Sequence, residues 1–382
     1  MTMRRREFLT CAALGGCAAL SLRGAGFADQ DPFGRMLNLA DVEAAARDVL
    51  GQSSYDYYAS GAADELTLRW NVERLQELRL RPRVLRDVST LDTSVELLGR
   101  RHALPLLLAP TANHRLAHPL AEIATARGAS LSGVGMVLSN GSNTAIREVA
   151  VALGSAQALW FQLYVQPDRA LTRDIIRHAE AGGAEALVIT VDSPVDGSRN
   201  RQARSGWRLP EGTGHPNYLG RKQRRSVVNL EEVRPLKCTW EDLEWMKGTT
   251  RLPMLLKGIL SPDDAELALR HGADGVIVSN HGGRVLDTVP AAIDALPAVV
   301  ERVAGRAPVI FDSGIRRGSD VLKALACGAR AALVGRPYLY GLAVGGAEGV
   351  EHVIRILRQE LRLAMALTGC RAVGDLDRSF LW

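Results

Sequence analysis

The fold class is predicted from the pattern in one stretch of ten residues, Gly275-Val276-Ile277-Val278-Ser279-Asn280-His281-Gly282-Gly283-Arg284. An unbroken apolar run ends abruptly in polar, charged and glycine residues. Continuous apolar runs, as opposed to alternating ones, are typical of parallel strands that are covered on both faces. The polar residues that follow such a strand lie at its carboxyl end, where barrel enzymes place their active sites. We therefore predict a buried parallel strand here, followed by a functional loop.

The same pattern recurs along the chain. Further apolar runs occupy Leu104–Ala109, Val134–Ser139, Ala158–Tyr164, Ala186–Val191, Leu252–Lys257, Pro308–Phe311 and Ala331–Val334. Amphipathic stretches separate them, and the last of these, residues 350–367, has apolar residues at helical spacing. Eight strand–helix units in series, within 382 residues, predict a single α/β domain with the (β/α)8 (TIM) barrel fold.

Two segments depart from this rhythm. Before the first strand, Asn38 is a good N-cap for a helix over residues 39–50, and helical patterns follow over residues 55–60 and 65–75. After the fourth strand, residues 196–238 are rich in Arg, Gly and Pro. Because long loops on the carboxyl face of a barrel usually shape its active site, we predict a lid here. A surface insertion without function is the alternative.

The first 28 residues have the pattern of an export signal. Arg4-Arg5-Arg6 precedes Phe8-Leu9, a short apolar run follows, and small residues near Ala28 provide a cleavage site. The paired arginines favour a twin-arginine signal. An ordinary secretory signal and a lipoprotein signal acylated at Cys17 are the alternatives. The prediction is a barrel domain over residues 29–382, located in the periplasm or exported.

The net charge of +5 excludes little. Three of these charges belong to the predicted signal, so the basic composition does not indicate a nucleic-acid partner, and no nucleic-acid motif is present. Eight basic residues lie between Arg199 and Arg225, against one acidic residue. They favour either peripheral contact with an anionic membrane or a role in covering the active site and facing water.

The ends of the last two strands predict a phosphate site. Asp312-Ser313-Gly314-Ile315-Arg316 follows the seventh strand and Gly335-Arg336 follows the eighth. Glycines allow the backbone to approach a ligand closely, and arginines form charge-assisted hydrogen bonds with a dianion. The loops after strands seven and eight are the usual phosphate site of barrels. No G-x-G-x-x-G follows an early strand, so a Rossmann nicotinamide site is not indicated.

The sixth strand end combines a base with a cation. His281 can accept a proton and Arg284 can bind a carboxylate, which suits a substrate that carries an acid next to an ionisable carbon. Asp192, after the fourth strand, can hold the imidazole tautomer, as the acid does in hydrolase triads. Lys257 provides positive charge where negative charge develops on a cofactor. The sequence has no strained serine elbow and no metal-ligand spacing of histidines.

These residues carry a resemblance to a known family. Residues 55–62 (YDYYASGA), 110–112 (PTA), 161–164 (FQLY), 190–192 (TVD), 256–258 (LKG), 279–284 (SNHGGR) and 316–318 (RRG) occur in the order found in the FMN-dependent 2-hydroxy acid dehydrogenase/oxidase family. The match runs from about Asn38 to the C-terminus. The resemblance implies an enzyme that uses FMN to oxidise a small (S)-2-hydroxy acid to the 2-oxo acid.

The resemblance also implies roles for individual residues. His281 is the base, with Asp192 as its partner and Tyr164 bonding the substrate hydroxyl. Tyr57, Arg199 and Arg284 hold the substrate carboxylate. The flavin ring is implied to contact Pro110, Thr111, Ala112, Ser139, Gln162, Thr190, Lys257 and Ser279. Asp312, Ser313, Gly314, Arg316, Gly335 and Arg336 are implied to hold the ribityl chain and phosphate. Whether His281 takes its proton from the hydroxyl or from the α-carbon stays open.

Some positions depart from the commoner family pattern. Ser313 replaces a glycine, and the segment from Asp192 to Arg199 resembles the bacterial L-lactate oxidase branch. Gly141 stands where glycolate oxidases carry tryptophan, which argues against glycolate as the substrate. Asn113 and His114 are unusual after Ala112. The branch implies O2 as the electron acceptor and a homo-oligomer, a tetramer by resemblance.

Three alternatives stay open at this point. A periplasmic dehydrogenase would pass electrons to a quinone or a cytochrome in place of O2, although the chain has no Cys-x-x-Cys-His haem motif. Other FMN barrels, such as isopentenyl diphosphate isomerase or inosine monophosphate dehydrogenase relatives, share a phosphate site but lack the His281–Arg284 arrangement. A non-catalytic flavin binder would have no need for that arrangement or for Lys257.

Overall fold

Eight parallel strands close into a barrel in the computed structural model, which describes residues 33–220 and 238–382. The strands are β3 (Leu106–Leu108), β4 (Gly135–Ser139), β5 (Leu159–Leu163), β6 (Ala186–Thr190), β7 (Met254–Ile259), β8 (Gly275–Val278), β9 (Val309–Asp312) and β10 (Ala331–Val334). Neighbours in the barrel follow chain order, and β10 pairs with β3 to close it. The predicted (β/α)8 barrel is confirmed.

Both faces of the strands are buried, which explains why their apolar runs are continuous. In β6, Leu187 and Ile189 pack outwards against the helices, whereas Ala186 and Val188 belong to the core inside the barrel. A two-stranded antiparallel ribbon, β1 (Val95–Leu97) and β2 (Arg100–His102), contributes side chains to this inner core. The ribbon therefore packs at the end of the barrel opposite to the polar strand ends.

Helices surround the barrel and three of them precede it. The leading helices are α1 (Leu39–Val49), α2 (Gln52–Ala59) and α3 (Leu66–Glu77). The others are α4 (Ala121–Ser132), α5 (Ile146–Leu153), α6 (Arg169–Ala181), α7 (Asn200–Arg204), α8 (Trp240–Lys247), α9 (Pro262–Arg270), α10 (Ala292–Val303), α11 (Gly318–Ala326) and α12 (Arg336–Thr368). Asn38 caps α1 with a capping box to Asp41, as its sequence position predicts.

The last helix begins earlier than the amphipathic pattern predicts. It starts directly after β10, and non-helical backbone at Gly345 and Gly346 divides it into two parts. The second part coincides with the predicted segment, residues 350–367. The pattern missed the first part because both its faces are largely buried, so its apolar residues show no amphipathic period.

The leading helices clamp the loop that follows β8. The Asp287 carboxylate accepts hydrogen bonds from the backbone N–H groups of Asp64, Leu66 and Thr67, at 3.0, 3.2 and 2.8 Å. The side-chain amides of Asn71 and Asn280 bond each other reciprocally, at 2.9 and 2.7 Å. The functional loop is therefore held by α3 as well as by its own strand.

The predicted signal over residues 1–28 lies outside the described residues, as does the part of the predicted lid from 221 to 237. The described part of the lid contains the short helix α7 and a 3-10 turn, Pro216–Tyr218. In the segments 33–220 and 238–382, no helix combines the length and the apolar character that crossing a membrane requires.

Candidate active site

A cavity of about 1260 Å³ lies at the carboxyl ends of the barrel strands, and all eight strand ends contribute to its lining. Its size exceeds that of a typical pocket for one drug-sized ligand. Most of the predicted site residues line it, namely Tyr57, Pro110, Thr111, Ala112, Ser139, Tyr164, Arg199, Lys257, His281, Arg284, Asp312, Ser313, Gly314, Arg316, Gly335 and Arg336. Gln162, Thr190, Asp192 and Ser279 are not part of the lining and support it from neighbouring positions.

The predicted base and its partner are in direct contact. Nδ1 of His281 lies 2.8 Å from Oδ1 of Asp192, and the two residues come from different strand ends. Because Nδ1 is engaged, Nε2 is the nitrogen left to accept a proton. Burial alone would raise the pKa of Asp192, but its interactions with His281 and Lys257 outweigh burial and hold that pKa below its ordinary value. A carboxylate that stays ionised can stabilise the imidazolium that forms when His281 takes a proton.

Gly258 leaves the space that Asp192 occupies. A Cβ added at Gly258 would lie 2.4 Å from the Cβ of Asp192, and the backbone φ of +109° is one that residues with side chains rarely adopt. The pairing of β7 with β8 shifts register at this point, between Lys257 and Ile259. The local bulge and the missing side chain together seat the carboxylate against His281.

Lys257 is a buried ammonium group inside a network. Its Nζ donates to Oγ of Ser279 at 2.9 Å and lies 3.1 Å from Oδ2 of Asp312. Burial lowers the pKa of Lys257, but Asp312 and Asp192 raise it more, and the net pKa is above its usual value. The amine therefore stays charged where the cofactor is predicted to bind. Oγ of Ser279 also accepts from the backbone N–H of His281, at 3.1 Å, and so links the two functional groups.

The cavity carries a concentration of positive charge. Arg284 and Arg336 both donate to the backbone carbonyls of Tyr58 and Ser60 at the end of α2. Burial, Arg199 and Arg336 lower the pKa of Arg284 well below its usual range, and burial lowers that of Arg336 to about 10.

These cations lack anionic partners. Across residues 33–220 and 238–382, no carboxylate forms an ion pair with Arg284, Arg316 or Arg336. Nε of Arg199 is buried without a hydrogen-bond partner in the same part of the chain, and its Nη2 has Asp196 at 4.0 Å. Partly buried cations without close counter-charges are costly, so the site has the electrostatics of a receptor for anions. A phosphate and a carboxylate would each supply the missing charge.

The inner wall also fits a flavin. Oε1 of Gln162 accepts from Oγ of Ser139 at 3.1 Å, whereas Nε2 of Gln162 is buried and has no partner within the described segments. A buried donor without an acceptor points to a ligand group that completes it. Together with Lys257, and with Arg316 and Arg336 after β9 and β10, this amide provides donors that fit the ring and phosphate of FMN.

The residues expected to bind the substrate line the same cavity. The Cζ atom of Arg284 lies 5.6 Å from the centroid of the Tyr57 ring. Burial and the nearby Asp192 raise the pKa of Tyr164, so that its phenol stays protonated and can donate a hydrogen bond. His281, Tyr164 and the cationic groups thus face one space, which suits a small hydroxy acid.

Sequence reasoning assigned no role to Trp207 or His215, and both lie near Tyr57. The Trp207 ring stacks on the Tyr57 ring, with centroids 4.5 Å apart and an interplanar angle of 15°. Nε2 of His215 lies 2.7 Å from Oδ1 of Asn113. Both residues belong to the irregular insertion, where no periodicity indicates which side chains point inwards. Asn113, which is unusual after Ala112, is expected from the sequence to lie near the flavin and substrate pocket, and it lines the cavity.

No group of three or more His, Cys, Asp or Glu side chains within the described segments is arranged to hold a metal ion. The three cysteines there, Cys238, Cys327 and Cys370, are not joined in disulfides.

Comparison with known proteins places this arrangement in context. The family described as FMN-dependent dehydrogenase matches residues 46–382. An L-lactate oxidase of Nostoc sp. is 46% identical over 361 residues, which cover 90% of this chain and 98% of the relative. 2-Hydroxyacid oxidase 1 of Homo sapiens is 42% identical over 359 residues, which cover 91% of this chain and 96% of that protein.

Solved structures of a mandelate oxidase have the same fold. The structure described with 3,3-difluoro-2-hydroxy-3-phenylpropionic acid has a TM-score of 0.83 and 42% sequence identity, and the match covers 90% of this chain and 98% of that one. At this identity, the similarity extends beyond the general barrel architecture.

Proposed function

This chain belongs to the FMN-dependent dehydrogenase family, and from that premise we propose that it oxidises a small (S)-2-hydroxy acid of the lactate type to the 2-oxo acid, with O2 as electron acceptor. Its cofactor is FMN. The observation that carries the proposal is the His281–Asp192 pair beside the partly buried Arg284 and Arg336, which have no carboxylate partner among the described residues. A base next to an anion receptor matches a substrate that carries its carboxylate beside the reacting carbon.

The chain's own residues bind and orient the substrate. Arg284 and Arg199 pair with its carboxylate, and Tyr57 donates a hydrogen bond to the same group. A fixed carboxylate places C2 and its hydroxyl near His281 and Tyr164, which lowers the entropic part of the barrier. Because a planar guanidinium can bind a carboxylate through two hydrogen bonds, Arg284 fixes the orientation of the substrate carboxylate as well as neutralising its charge.

His281 moves the proton. Its Nε2 accepts a proton from the bound hydroxy acid, and Asp192 stabilises the imidazolium through Nδ1. FMN supplies, when bound, a two-electron acceptor that O2 can reoxidise with formation of hydrogen peroxide. Gln162, Ser139 and Lys257 would hold the ring, and Gly314, Arg316, Gly335 and Arg336 would hold the phosphate.

A visible spectrum with anaerobic substrate addition tests the proposal. Purified protein should show an oxidised-flavin spectrum that lactate or a related (S)-2-hydroxy acid bleaches and the (R)-enantiomer does not. Uncharged propane-1,2-diol should bleach it poorly because the arginines have no carboxylate to bind. Equal bleaching by lactate and by the diol would contradict the proposed carboxylate recognition.

The electron acceptor is tested on the reduced enzyme. Mixing lactate-reduced protein with aerated buffer should reoxidise the flavin at least as fast as steady-state turnover. Reoxidation that is slower than turnover with an artificial acceptor would favour the second candidate, a periplasmic dehydrogenase that uses a quinone or a cytochrome. The oxidase names of the relatives favour O2.

The location is part of the proposal. Export through a twin-arginine route carries folded proteins, so FMN bound in the cytoplasm would travel with the barrel. Changing Arg5 and Arg6 together to lysine should retain the precursor, with its flavin, in the cytoplasm.

We further propose a homo-oligomer, checked by light scattering. Co-sedimentation with anionic vesicles at low salt checks whether the basic residues from Arg199 to Arg225 contact membranes.

A further inference from the structure

The 3-10 turn Pro216–Tyr218, within the insertion after β6, is held in place by a buried side chain, and its Tyr218 lines the cavity. Asn217 is fully buried, and its Nδ2 donates to Oγ of Ser142 at 2.7 Å and to the carbonyl of Thr144 at 2.9 Å. Its Oδ1 lies 3.1 Å from the backbone nitrogen of Ile146 and 3.1 Å from Nε2 of His178. These bonds attach the 3-10 turn Pro216–Tyr218 to the loop after β4 and to α6. A residue next to this turn therefore has a defined position.

His215 directly precedes the turn and reaches Asn113, which follows β3. Its Nε2 lies 2.7 Å from Oδ1 of Asn113, and Nδ2 of Asn113 donates to the Tyr57 hydroxyl oxygen at 2.8 Å. Asn113 is 2% exposed, so its side-chain amide depends on these two partners for its hydrogen bonds. The three residues come from the insertion, from a barrel loop and from α2, and they form one hydrogen-bonded chain.

The direction of this chain decides what Tyr57 can offer. An amide oxygen only accepts, so the contact of Oδ1 of Asn113 with Nε2 of His215 requires the tautomer that carries its proton on Nε2. With that tautomer, the amide presents its oxygen to the imidazole and its nitrogen to Tyr57. The Tyr57 oxygen then accepts from Asn113, and its own proton is left for another acceptor. In the reversed amide orientation, Oδ1 of Asn113 would accept that proton instead.

The charge state of His215 limits how it can act on the substrate. Burial lowers the pKa of His215, and the nearby Glu122 offsets only part of that decrease. The imidazole is therefore neutral at neutral pH, and it adds no fixed charge that would bind the substrate carboxylate directly. Its contribution is through the orientation of Asn113.

We propose that Asn113 and His215 are positioning residues that keep the Tyr57 hydroxyl as a hydrogen-bond donor to the substrate carboxylate. The inference rests on the proposed function, since it takes Tyr57 to bind that carboxylate. It gives the insertion a specific task, because His215 controls a substrate-binding group that it does not itself contact.

The test measures binding without turnover. Pyruvate is titrated into the FMN-loaded enzyme, and the flavin difference spectrum gives its dissociation constant. The variants are Asn113→Gly and His215→Phe; glycine is chosen because φ at Asn113 is +63°, which glycine adopts without strain. Each should raise the dissociation constant of pyruvate and the KM of the hydroxy acid about tenfold, the size expected for losing one oriented hydrogen bond to a charged group. kcat should change much less.

Three further variants distinguish orientation from general damage. Asn113→Asp can only accept, so it should engage the Tyr57 proton and weaken pyruvate binding at least as much as Tyr57→Phe. In the Tyr57→Phe background, Asn113→Gly should have little further effect, because the hydroxyl that it positions is gone. His271→Phe, a matched histidine change at the end of α9, should bind pyruvate like the wild type.

The outcomes separate the two claims. If the wild type binds pyruvate and is reduced by hydroxy acids while Asn113→Gly and His215→Phe behave identically to it, the positioning role is wrong and the proposed function stands. Full effects that persist in the Tyr57→Phe background overturn the positioning role in the same way. A wild type that neither binds pyruvate nor is reduced by any 2-hydroxy acid overturns both.

Discussion

The two halves of the cavity are built in different ways. The cofactor half, Lys257, Asp312, Ser313, Arg316 and Arg336, consists of residues at or just beyond the ends of β7, β9 and β10. The substrate half, Tyr57, Asp192, Arg199, His281 and Arg284, also takes Tyr57 from a helix before the barrel and Arg199 from the insertion. On the proposed assignment, cofactor binding is a property of the barrel strands, whereas substrate binding requires separate segments to dock on them.

The two halves meet at the end of α2. The carbonyls of Tyr58 and Ser60 accept hydrogen bonds from Arg336 of the cofactor half and from Arg284 of the substrate half. The carboxyl end of a helix favours cations, so α2 holds two arginines that would otherwise repel each other. If the halves are functionally separate, substitutions in each should affect different measurements.

The largest difference between the effects on the two halves is expected for a substitution of the base, His281. His281→Gln removes the proton acceptor and leaves the cofactor half intact. We expect flavin reduction by lactate to slow by about 10²–10⁴-fold, the usual contribution of general base catalysis. FMN content and the visible spectrum should match the wild type. Stopped-flow reduction measures the effect, and near-normal reduction by the variant would remove His281 from the mechanism.

A smaller loss is expected when only the partner of the base moves. Gly258→Ala places a Cβ against Asp192 and requires an unfavourable backbone conformation. Because misplacing a catalytic group by about 1 Å can cost about 10²-fold, we expect reduction to slow by about that factor. Gly272→Ala, at another glycine of positive φ, where an added Cβ would lie at an ordinary contact distance of 3.5 Å from Cγ of Lys247, is the matched control and should retain wild-type reduction rates. Equal rates in the two variants would mean that Gly258 has no role in seating Asp192.

The cofactor half should respond in affinity for FMN instead. Arg336→Gln removes one buried charge from the predicted phosphate site. Since a hydrogen bond to a charged group contributes about 1.5–3 kcal/mol, the dissociation constant of FMN should rise about 10- to 100-fold. The rate of reduction at saturating FMN should change little. Fluorescence titration of the apoprotein with FMN gives the constant, and a large fall in the saturated rate would show that the halves are not separable.

The smallest effect is expected outside both halves. Asp287→Asn weakens the cap on α3 and should lower the free energy of unfolding by about 1–2 kcal/mol at pH 7. Burial raises the pKa of Asp287, but backbone hydrogen bonds from Thr67, Leu66 and Asp64 lower it more, so its folded pKa is below the unfolded value. The stabilisation is therefore present at neutral pH and is lost as the pH falls through the folded pKa. Denaturant unfolding at pH 7 and at about pH 3, below the unfolded pKa of about 3.9, should show the difference between variant and wild type narrowing.

The barrel fold can be predicted from the sequence alone, as can the location of the site at the carboxyl ends of the strands. Continuous apolar runs identify β3 to β10, since strands buried on both faces can carry no alternating polar residues. The polar residues after each run then fall at one end of the barrel, because parallel strands share their direction. Arg316, Arg336 and Lys257 could be placed in this way, from strand ends alone.

The sequence also pairs His281 with Asp192, but the distance between them and the contacts that control the other groups emerge only from the tertiary structure. The 2.8 Å contact of His281 with Asp192 joins two strand ends that are 89 residues apart in the chain. Asn113 meets His215 across 102 residues, and Asp287 caps a helix more than 200 residues before it. Local patterns report whether a side chain is buried, but hydrogen-bond partners depend on how irregular loops fold back. The contacts of Trp207 and His215 therefore emerged only with the fold.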